Sequence, residues 1–123
     1  MEVTTQELKK DLDAKKKILL VDVRQPEEFN FVHLKNSVNI PLPELQNRIS
    51  EIPKGKEVVT VCQHGNRSMQ AAVMLHSLGY KARSLSGGIE EWALQVDTKM
   101  KRYDKEMYMN SGKVKCDVWE VKN

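Results

Sequence analysis

The chain has 123 residues, of which 40% are hydrophobic, and this suits one compact domain. Its net charge of +3 is modest and its lysines are scattered, which favours a solvated surface over nucleic-acid binding. Two cysteines are too few for a disulfide framework, and no apolar run is long enough to span a membrane.

The N-terminus is polar and charged over its first 14 residues and lacks the apolar segment of a secretion signal. Neither cysteine belongs to the paired C-x-x-C motifs of a zinc site. A free reactive thiol survives best in a reducing cytoplasm. The sequence therefore predicts a cytoplasmic protein without a metal site, a membrane anchor or a nucleic-acid partner.

The N-terminal part of the chain predicts a helix, a buried strand and a second, short helix. Thr4 followed by Glu7 is a capping box, which predicts a first helix that ends near Ala14. Residues 17–23 form a continuous apolar run, which is typical of a strand covered on both faces in a parallel sheet. Pro26 opens the short helix, because proline is favoured in the first helical turn.

The rest of the chain continues this alternation of strands and helices. Short apolar runs predict strands, and apolar residues three or four positions apart predict helices. The predicted elements are strands at 38–40, 57–62 and 80–85 and helices at 42–52, 68–78 and 89–96. Such an alternation predicts an α/β fold, with a parallel central sheet and helices on both faces. Functional sites in these sheets form at the carboxyl ends of the strands.

A cysteine ends the strand at 57–62, in the segment T-V-C-Q-H-G-N-R-S. The helix pattern starts at Ser68, so Cys62 precedes a tight loop and a helix N-terminus. Unpaired N–H groups and the positive end of the helix dipole make such a position an anion site. Arg67 adds a positive charge, so the pattern predicts a cysteine that ionises to a nucleophilic thiolate.

A buried structural cysteine is the alternative interpretation, since cysteine often ends a core strand as a small hydrophobe. The residues that follow are polar, and we do not expect them in a dry core. The candidate site therefore comprises a catalytic cysteine and its loop, namely Cys62, Gln63, His64, Gly65, Asn66, Arg67 and Ser68. Asp22 and Arg24 end another predicted strand and are candidate supporting residues.

Four segments together resemble the rhodanese-like sulfurtransferases in their single-domain form. They are D-V-R-Q-P-E-E-F at 22–29, H-L-K-N-S-V-N-I-P-L at 33–42, C-Q-H-G-N-R-S at 62–68 and L-S-G-G-I-E-E-W at 85–92. The stretch W-A-L-Q-V-D followed by Arg102-Tyr103 is most similar to rhodanese domains fused to adenylating enzymes of cofactor sulfur transfer, and to their free-standing relatives. The resemblance implies that residues 1–103 form a rhodanese-like domain and that residues 104–123 are a C-terminal extension.

The resemblance implies a parallel sheet of about five strands and a sulfurtransferase mechanism. Cys62 would take a sulfane sulfur from a donor such as thiosulfate or a persulfide and pass it to a thiophilic acceptor. Donor and acceptor can be small molecules or proteins, and no metal or organic cofactor is implied. The loop amides would cradle the sulfur, Asp22 and Arg24 would brace the loop, and the protein would be a monomer or a homodimer.

Two positions depart from the family's usual pattern. Asn36-Ser37 replaces Gly-Ala, and asparagine tolerates the left-handed conformation that glycine would supply. Gln63 stands where many relatives carry arginine. This second departure weakens the expected positive field at the site and puts a preference for thiosulfate in question.

Two other functions remain open on the sequence. Cysteine-dependent phosphatases and arsenate reductases also place a cysteine and an arginine around an anion cradle, but their loop has one more residue. A non-catalytic rhodanese-like interaction module is the second alternative, although such modules commonly lack the cysteine. The length of the loop and the presence of Cys62 favour sulfur transfer over both.

The remaining polar and aromatic residues predict structural roles. His33 and His76 are expected to pack or to lie at the surface, and Trp92 is expected in the core. The C-terminal extension alternates apolar and charged residues at 114–118, a weak strand signal that would allow pairing at a sheet edge. Cys116, in that segment, is not expected to act as a resolving thiol.

Overall fold

This computed structural model describes residues 1–101 of the chain, and within that range it shows five strands and four α-helices. In chain order these are β1 (Glu2–Val3), α1 (Thr5–Asp13), β2 (Ile18–Asp22), α2 (Pro26–Phe31), β3 (Val38–Asn39), β4 (Glu57–Val61), α3 (Asn66–Ser77), β5 (Lys81–Leu85) and α4 (Gly88–Gln95). The predicted strands and four of the five predicted helices are present. The expectations for 104–123, including that for Cys116, lie outside the described residues.

The described strands form one sheet in which every pair of neighbours is parallel. Their order is β1-β5-β4-β2-β3, so β4 lies at the centre and β1 and β3 lie at the edges. The predicted α/β fold with a parallel central sheet is therefore confirmed. The sequence does not predict β1, because two residues are too short to show a period, and β1 is a strand only through its pairing with β5.

Each face of the sheet carries its own hydrophobic core, because side chains alternate between the faces along a strand. Val58 and Cys62 lie on the face that α3 covers, whereas Val59 and Val61 lie on the face that α1 and α4 cover. Trp92 of α4 is 8% exposed and belongs to the second core, as the sequence predicts. The alternation places the cysteine on the same face as the helix that follows it.

The predicted helix over 42–52 is wrong. Two separate 3-10 turns occupy this segment, at Leu42–Glu44 and Ile49–Glu51. The apolar residues of the segment are three, four and three positions apart, and an interval of three fits a 3-10 turn as well as an α-helix. Leu45 and Ile52 are nevertheless buried in the core on the α3 side, so the pattern predicts the buried positions but not the backbone.

Two local predictions about the backbone are confirmed. The Thr4 hydroxyl accepts from the Glu7 N–H, and the Thr4 N–H donates to Glu7 Oε1 over 2.9 Å. This capping box lowers the pKa of the Glu7 carboxyl from its ordinary value, chiefly through the Thr4 N–H. Asn36 has a φ of +66°, the left-handed conformation expected at the position where the family usually has glycine.

Candidate active site

The sulfur of Cys62 lies between the end of β4 and the start of α3. The Gly65 N–H donates to Sγ over 3.1 Å, the Ser68 N–H donates over 3.3 Å, and the Ser68 hydroxyl oxygen lies 3.3 Å from Sγ. Gly65 caps α3, and Ser68 is the third residue inside it, so Sγ accepts one of the donors that a helix leaves unpaired. The two N–H groups stabilise Sγ as a hydrogen-bond acceptor, and a thiolate is a stronger acceptor than a thiol.

Cys62 is nevertheless completely buried. It belongs to the core that α3 covers, so it is a core residue as well as the acceptor of the loop amides. The expectation that a polar loop excludes burial is wrong, because the loop folds over its own sulfur. An external reagent can therefore reach Sγ only if part of the loop moves.

Gly65 is the residue at which the loop turns back toward the sulfur. Its φ is +107°, a conformation that residues with a side chain rarely adopt. A Cβ there would also lie 3.4 Å from the N atom of Gly87, in the turn before α4. On the same loop His64 is half-buried and Asn66 is exposed, so both reach its outer surface.

Two buried hydroxyl groups behind the sulfur are not singled out by the sequence. The Ser84 oxygen of β5 lies 2.7 Å from the Ser68 oxygen, and the Thr60 hydroxyl donates to the Ser68 carbonyl over 2.7 Å. All three residues are fully buried. They fix the first turn of α3 against the two central strands. Thr60 interrupts an apolar run, which was its only signal, whereas Ser84 lies in a strand that also contains Lys81 and Arg83 and gives no signal.

The loop carbonyls are bound by the N-terminus of α4. The Ile89 N–H donates to the Cys62 carbonyl over 2.9 Å, and the Glu90 N–H donates to the Gln63 carbonyl over 3.1 Å. Gly88 lies so close to both carbonyls that a Cβ would stand 2.4 Å from each oxygen. The sequence marks Gly87-Gly88 as a turn, but this packing against the cysteine loop is visible only in the structure.

Asp22 and Arg24 form a fully buried ion pair at the carboxyl end of β2. Arg24 Nη2 donates to Asp22 Oδ2 over 2.8 Å, and Nε donates to Oδ1 over 2.9 Å. Arg24 Nη1 donates to Gln63 Oε1 over 3.2 Å, which connects the pair to the cysteine loop. Gln63 is buried and its side chain points to the interior.

Asn39 of β3 fixes the chain around this ion pair, and sequence reasoning missed it. Its Nδ2 donates to the carbonyls of Asp22 and Arg24, each over 3.0 Å. The Ile40 N–H also donates to the Asp22 carbonyl over 2.9 Å. A single polar residue in a two-residue strand gives no pattern by which it could be recognised.

Arg67 reaches away from the sulfur to α2, where it meets Glu28. Its Nη1 donates to Glu28 Oε1 over 2.8 Å, and its Nη2 donates to Oε2 over 3.2 Å. The Glu28 side chain is 3% exposed and the Arg67 side chain 24%. The Gln25 N–H also donates to Glu28 Oε1 over 2.9 Å, so this carboxylate is fixed from two sides. The sequence predicts the cation but not the carboxylate that pairs with it.

The other residues weighed in the sequence lie away from this loop. The ring of His33 stacks on Phe29 at 3.9 Å, and His76 is exposed on α3. A cavity of about 480 Å³ is lined by residues that include Leu12, Leu34 and Trp92, and the cysteine loop does not contribute to it. Within residues 1–101 there is no group of side chains suited to a metal ion and no helix that could cross a membrane.

Comparison with known proteins gives consistent results. A protein-family model described as a rhodanese-like domain matches residues 4–95. The chain is 39% identical over 88 residues to the adenylyltransferase and sulfurtransferase uba4 of Ogataea parapolymorpha, covering 70% of this chain and 23% of that protein. It is 37% identical over 93 residues to a sulfurtransferase of Allochromatium vinosum, covering 75% of this chain and 87% of that one.

Among solved structures, a rhodanese-related protein from Thermoplasma volcanium superposes with a TM-score of 0.71 at 32% identity. The alignment covers 77% of this chain and 92% of that one. The chain spans about a quarter of the length of the first two curated relatives, both adenylyltransferase–sulfurtransferase proteins.

Proposed function

The chain belongs to the rhodanese-like family, and from this premise we propose that it is a sulfurtransferase that carries sulfane sulfur as a persulfide on Cys62. The observation that supports this most directly is the cradle around Sγ, in which the backbone N–H groups of Gly65 and Ser68 both donate to the sulfur. Such groups stabilise a negative charge without moving during the reaction. The same charge is carried first by the thiolate and then by the terminal sulfur of the persulfide.

The reaction divides into two displacements at sulfur. The Cys62 thiolate attacks the outer sulfur of the donor, a new S–S bond forms, and the donor's own bond to that sulfur breaks. The leaving group departs with the electron pair, as sulfite from thiosulfate or as a thiolate from a persulfide. An acceptor nucleophile such as cyanide or a thiolate then attacks the terminal sulfur, and the Cys62 thiolate is regenerated. The cycle consumes no metal or organic cofactor.

The remaining loop residues have proposed roles in binding and bracing. His64 and Asn66 lie at the outer surface of the loop, where an incoming donor or acceptor passes first. Asp22 and Arg24 brace the loop through Gln63. A bracing ion pair of this kind fixes the position of the reacting atom, and errors of about 1 Å can cost roughly a hundredfold in rate.

We propose that the partners are small-molecule or protein donors and acceptors of sulfur. The protein would act in the cytoplasm and would be a monomer or a homodimer. The sulfurtransferase of Allochromatium vinosum matches over most of its own length, which supports activity without a further domain. The longer relative is named as both an adenylyltransferase and a sulfurtransferase, which supports sulfur transfer as the activity of the matching region. Residues 1–103 would form the domain that carries this activity, and 104–123 would be a C-terminal extension of that domain.

Incubation with thiosulfate followed by intact-protein mass spectrometry tests the proposed function. We expect a mass increase of one sulfur atom on Cys62, which cyanide or a reductant removes. Formation of thiocyanate in step with this removal would show that the adduct is an intermediate. A protein that gains no sulfur from thiosulfate, or from a small-molecule persulfide, would contradict the proposal.

Phosphatase activity is expected to be negligible. Phosphoryl transfer needs donors around three equatorial oxygens, whereas here the N–H groups of Gly65 and Ser68 are directed at the sulfur itself. Hydrolysis of an aryl phosphate should therefore be far slower than sulfur transfer from thiosulfate when both are assayed on one preparation. Insertion of one glycine after Gly65 enlarges the ring and is the variant in which a residual phosphatase rate should rise. Faster phosphate hydrolysis through Cys62 in the unmodified protein would overturn the assignment.

A further inference from the structure

Two ion pairs adjoin the cysteine loop within residues 1–101. Arg67 is paired with Glu28 through two parallel hydrogen bonds, and Arg24 is paired with Asp22. Parallel bonds between a guanidinium and a carboxylate are the strongest geometry for such a pair. Within each of these two pairs the charge of the cation is cancelled by its carboxylate, whereas the sequence predicted a positive field from Arg67.

Glu28 is the carboxylate in this set that acts on the loop cation. Arg67 stands between Gly65 and Ser68 in the chain, and both of these residues donate backbone hydrogen bonds to Sγ. Arg67 is therefore part of the loop that holds the sulfur, although its guanidinium is directed to Glu28 of α2. Because the carboxylate of Glu28 is almost completely buried, water screens it poorly and its charge is felt at the loop.

We propose that Glu28 is a specificity-determining residue, which neutralises Arg67 and thereby reduces the advantage of a doubly charged donor such as thiosulfate over an uncharged one. The inference rests on the proposed function for its meaning in sulfur transfer. Its first test does not use sulfur transfer, so the two can fail separately. Glu28 touches no reacting atom and acts only through Arg67.

The first test compares alkylation of Cys62 by iodoacetate and by iodoacetamide. Both reagents displace iodide with the thiolate, they are similar in size, and they differ by one negative charge. Any opening of the loop is common to both, so it cancels in the ratio of their rates. All variants are made in the Cys116→Ser protein. Because the chain has two cysteines, this substitution leaves Cys62 as the one thiol that the reagents can alkylate.

Glu28→Gln removes the negative charge but keeps the size of the side chain and an oxygen that can accept from Arg67. We expect the iodoacetate-to-iodoacetamide rate ratio to rise roughly threefold to tenfold, as one unit charge within about 10 Å produces in a partly hydrated site. Glu27→Gln is the matched control, since Glu27 is the preceding residue of the same helix and is exposed. It should change the ratio by less than about 1.5-fold, because water and salt screen an exposed charge.

A double variant separates charge from structure. Arg67→Gln leaves the carboxylate uncompensated and should lower the ratio, whereas Glu28→Gln combined with Arg67→Gln should return it to near the original value. If Glu28 and Arg67 were purely structural, the double variant would instead be more strongly impaired than either single variant, and its rate ratio would not return to the original value. The proposal is overturned if Glu28→Gln behaves like Glu27→Gln, or if the double variant does not restore the ratio.

Thermal unfolding shows whether Glu28→Gln folds. If it does not fold, the salt dependence of the unsubstituted protein still tests the proposal. Its rate ratio should change by less than about twofold between low salt and roughly 0.5 M salt, because a neutral site offers salt little to screen. A several-fold fall would reveal an uncompensated cation and overturn the proposal.

In folded Glu28→Gln, loading from thiosulfate should rise with the iodoacetate rate. Absence of loading in every variant would count against the proposed function alone.

Discussion

Cys62→Ser is expected to abolish both sulfur loading from thiosulfate and turnover with cyanide. Serine fits the space, because the hydroxyl oxygen is smaller than Sγ and can accept from the same two N–H groups. Its oxygen is not ionised near neutral pH and cannot form a persulfide, so the two displacement steps have no carrier. We expect turnover to fall by at least about a thousandfold, as it does when a covalent nucleophile is removed.

Cys116→Ser is the control for this variant, since Cys116 is the second cysteine of the chain and is not expected to carry the sulfur. It should load one sulfur atom and turn over at close to the original rate. Thermal unfolding of both variants shows whether a loss of activity reflects a loss of structure. Sulfur loading that persists in folded Cys62→Ser would place the carrier elsewhere and remove the basis of the mechanism.

The position of the candidate site is predictable because its signals are local. The apolar run before Cys62, the polar loop and the helix pattern after it are contiguous in the sequence, and each determines its own backbone. The alternation of strands and helices then places the loop at the carboxyl edge of a parallel sheet. The strand and the cysteine lie where these signals put them, and the helix begins two residues earlier than predicted, at Asn66.

The partners of the loop are not predictable, because they come from distant parts of the chain. Arg67 meets Glu28 and Gln63 meets Arg24, in both cases across 39 positions. No periodicity links residues so far apart, and either cation could have remained solvated. The sequence therefore predicts the charges of the site but not their cancellation, which depends on the packing of α2 beside the loop.

The two errors in the prediction of the fold have the same origin. β1 consists of two residues and is defined by its pairing with β5, more than 80 positions away. The segment 42–52 has apolar intervals that fit two kinds of helix, and only its packing decides between them. Local patterns specify which side chains are buried, and tertiary contacts specify the backbone wherever those patterns are short or degenerate.

Gly88→Ala is expected to impair both stability and activity, because the methyl group would press on the backbone of the cysteine loop. Its Cβ would lie 2.4 Å from the carbonyl oxygens of Cys62 and Gln63, so the backbone must shift. The φ of +63° adds strain for any residue with a side chain. Together these effects should lower the free energy of unfolding by about 2–5 kcal/mol. Displacement of the loop should also reduce kcat/KM at least about tenfold.

Gly55→Ala is the matched control, because Gly55 also has a positive φ, +82°, but within residues 1–101 no atom beyond its chain neighbours lies within 4 Å of its would-be Cβ. It should carry only the conformational strain, about 1–2 kcal/mol, and leave sulfur transfer unchanged. Urea unfolding and sulfur-loading rates of the two variants, measured side by side, isolate the contact with the loop. Because α4 donates hydrogen bonds to the same two carbonyls, a change at Gly88 is transmitted to Cys62 through the backbone. Equal losses of stability in both variants, with loading intact in both, would show that the close approach of Gly88 does not position the sulfur.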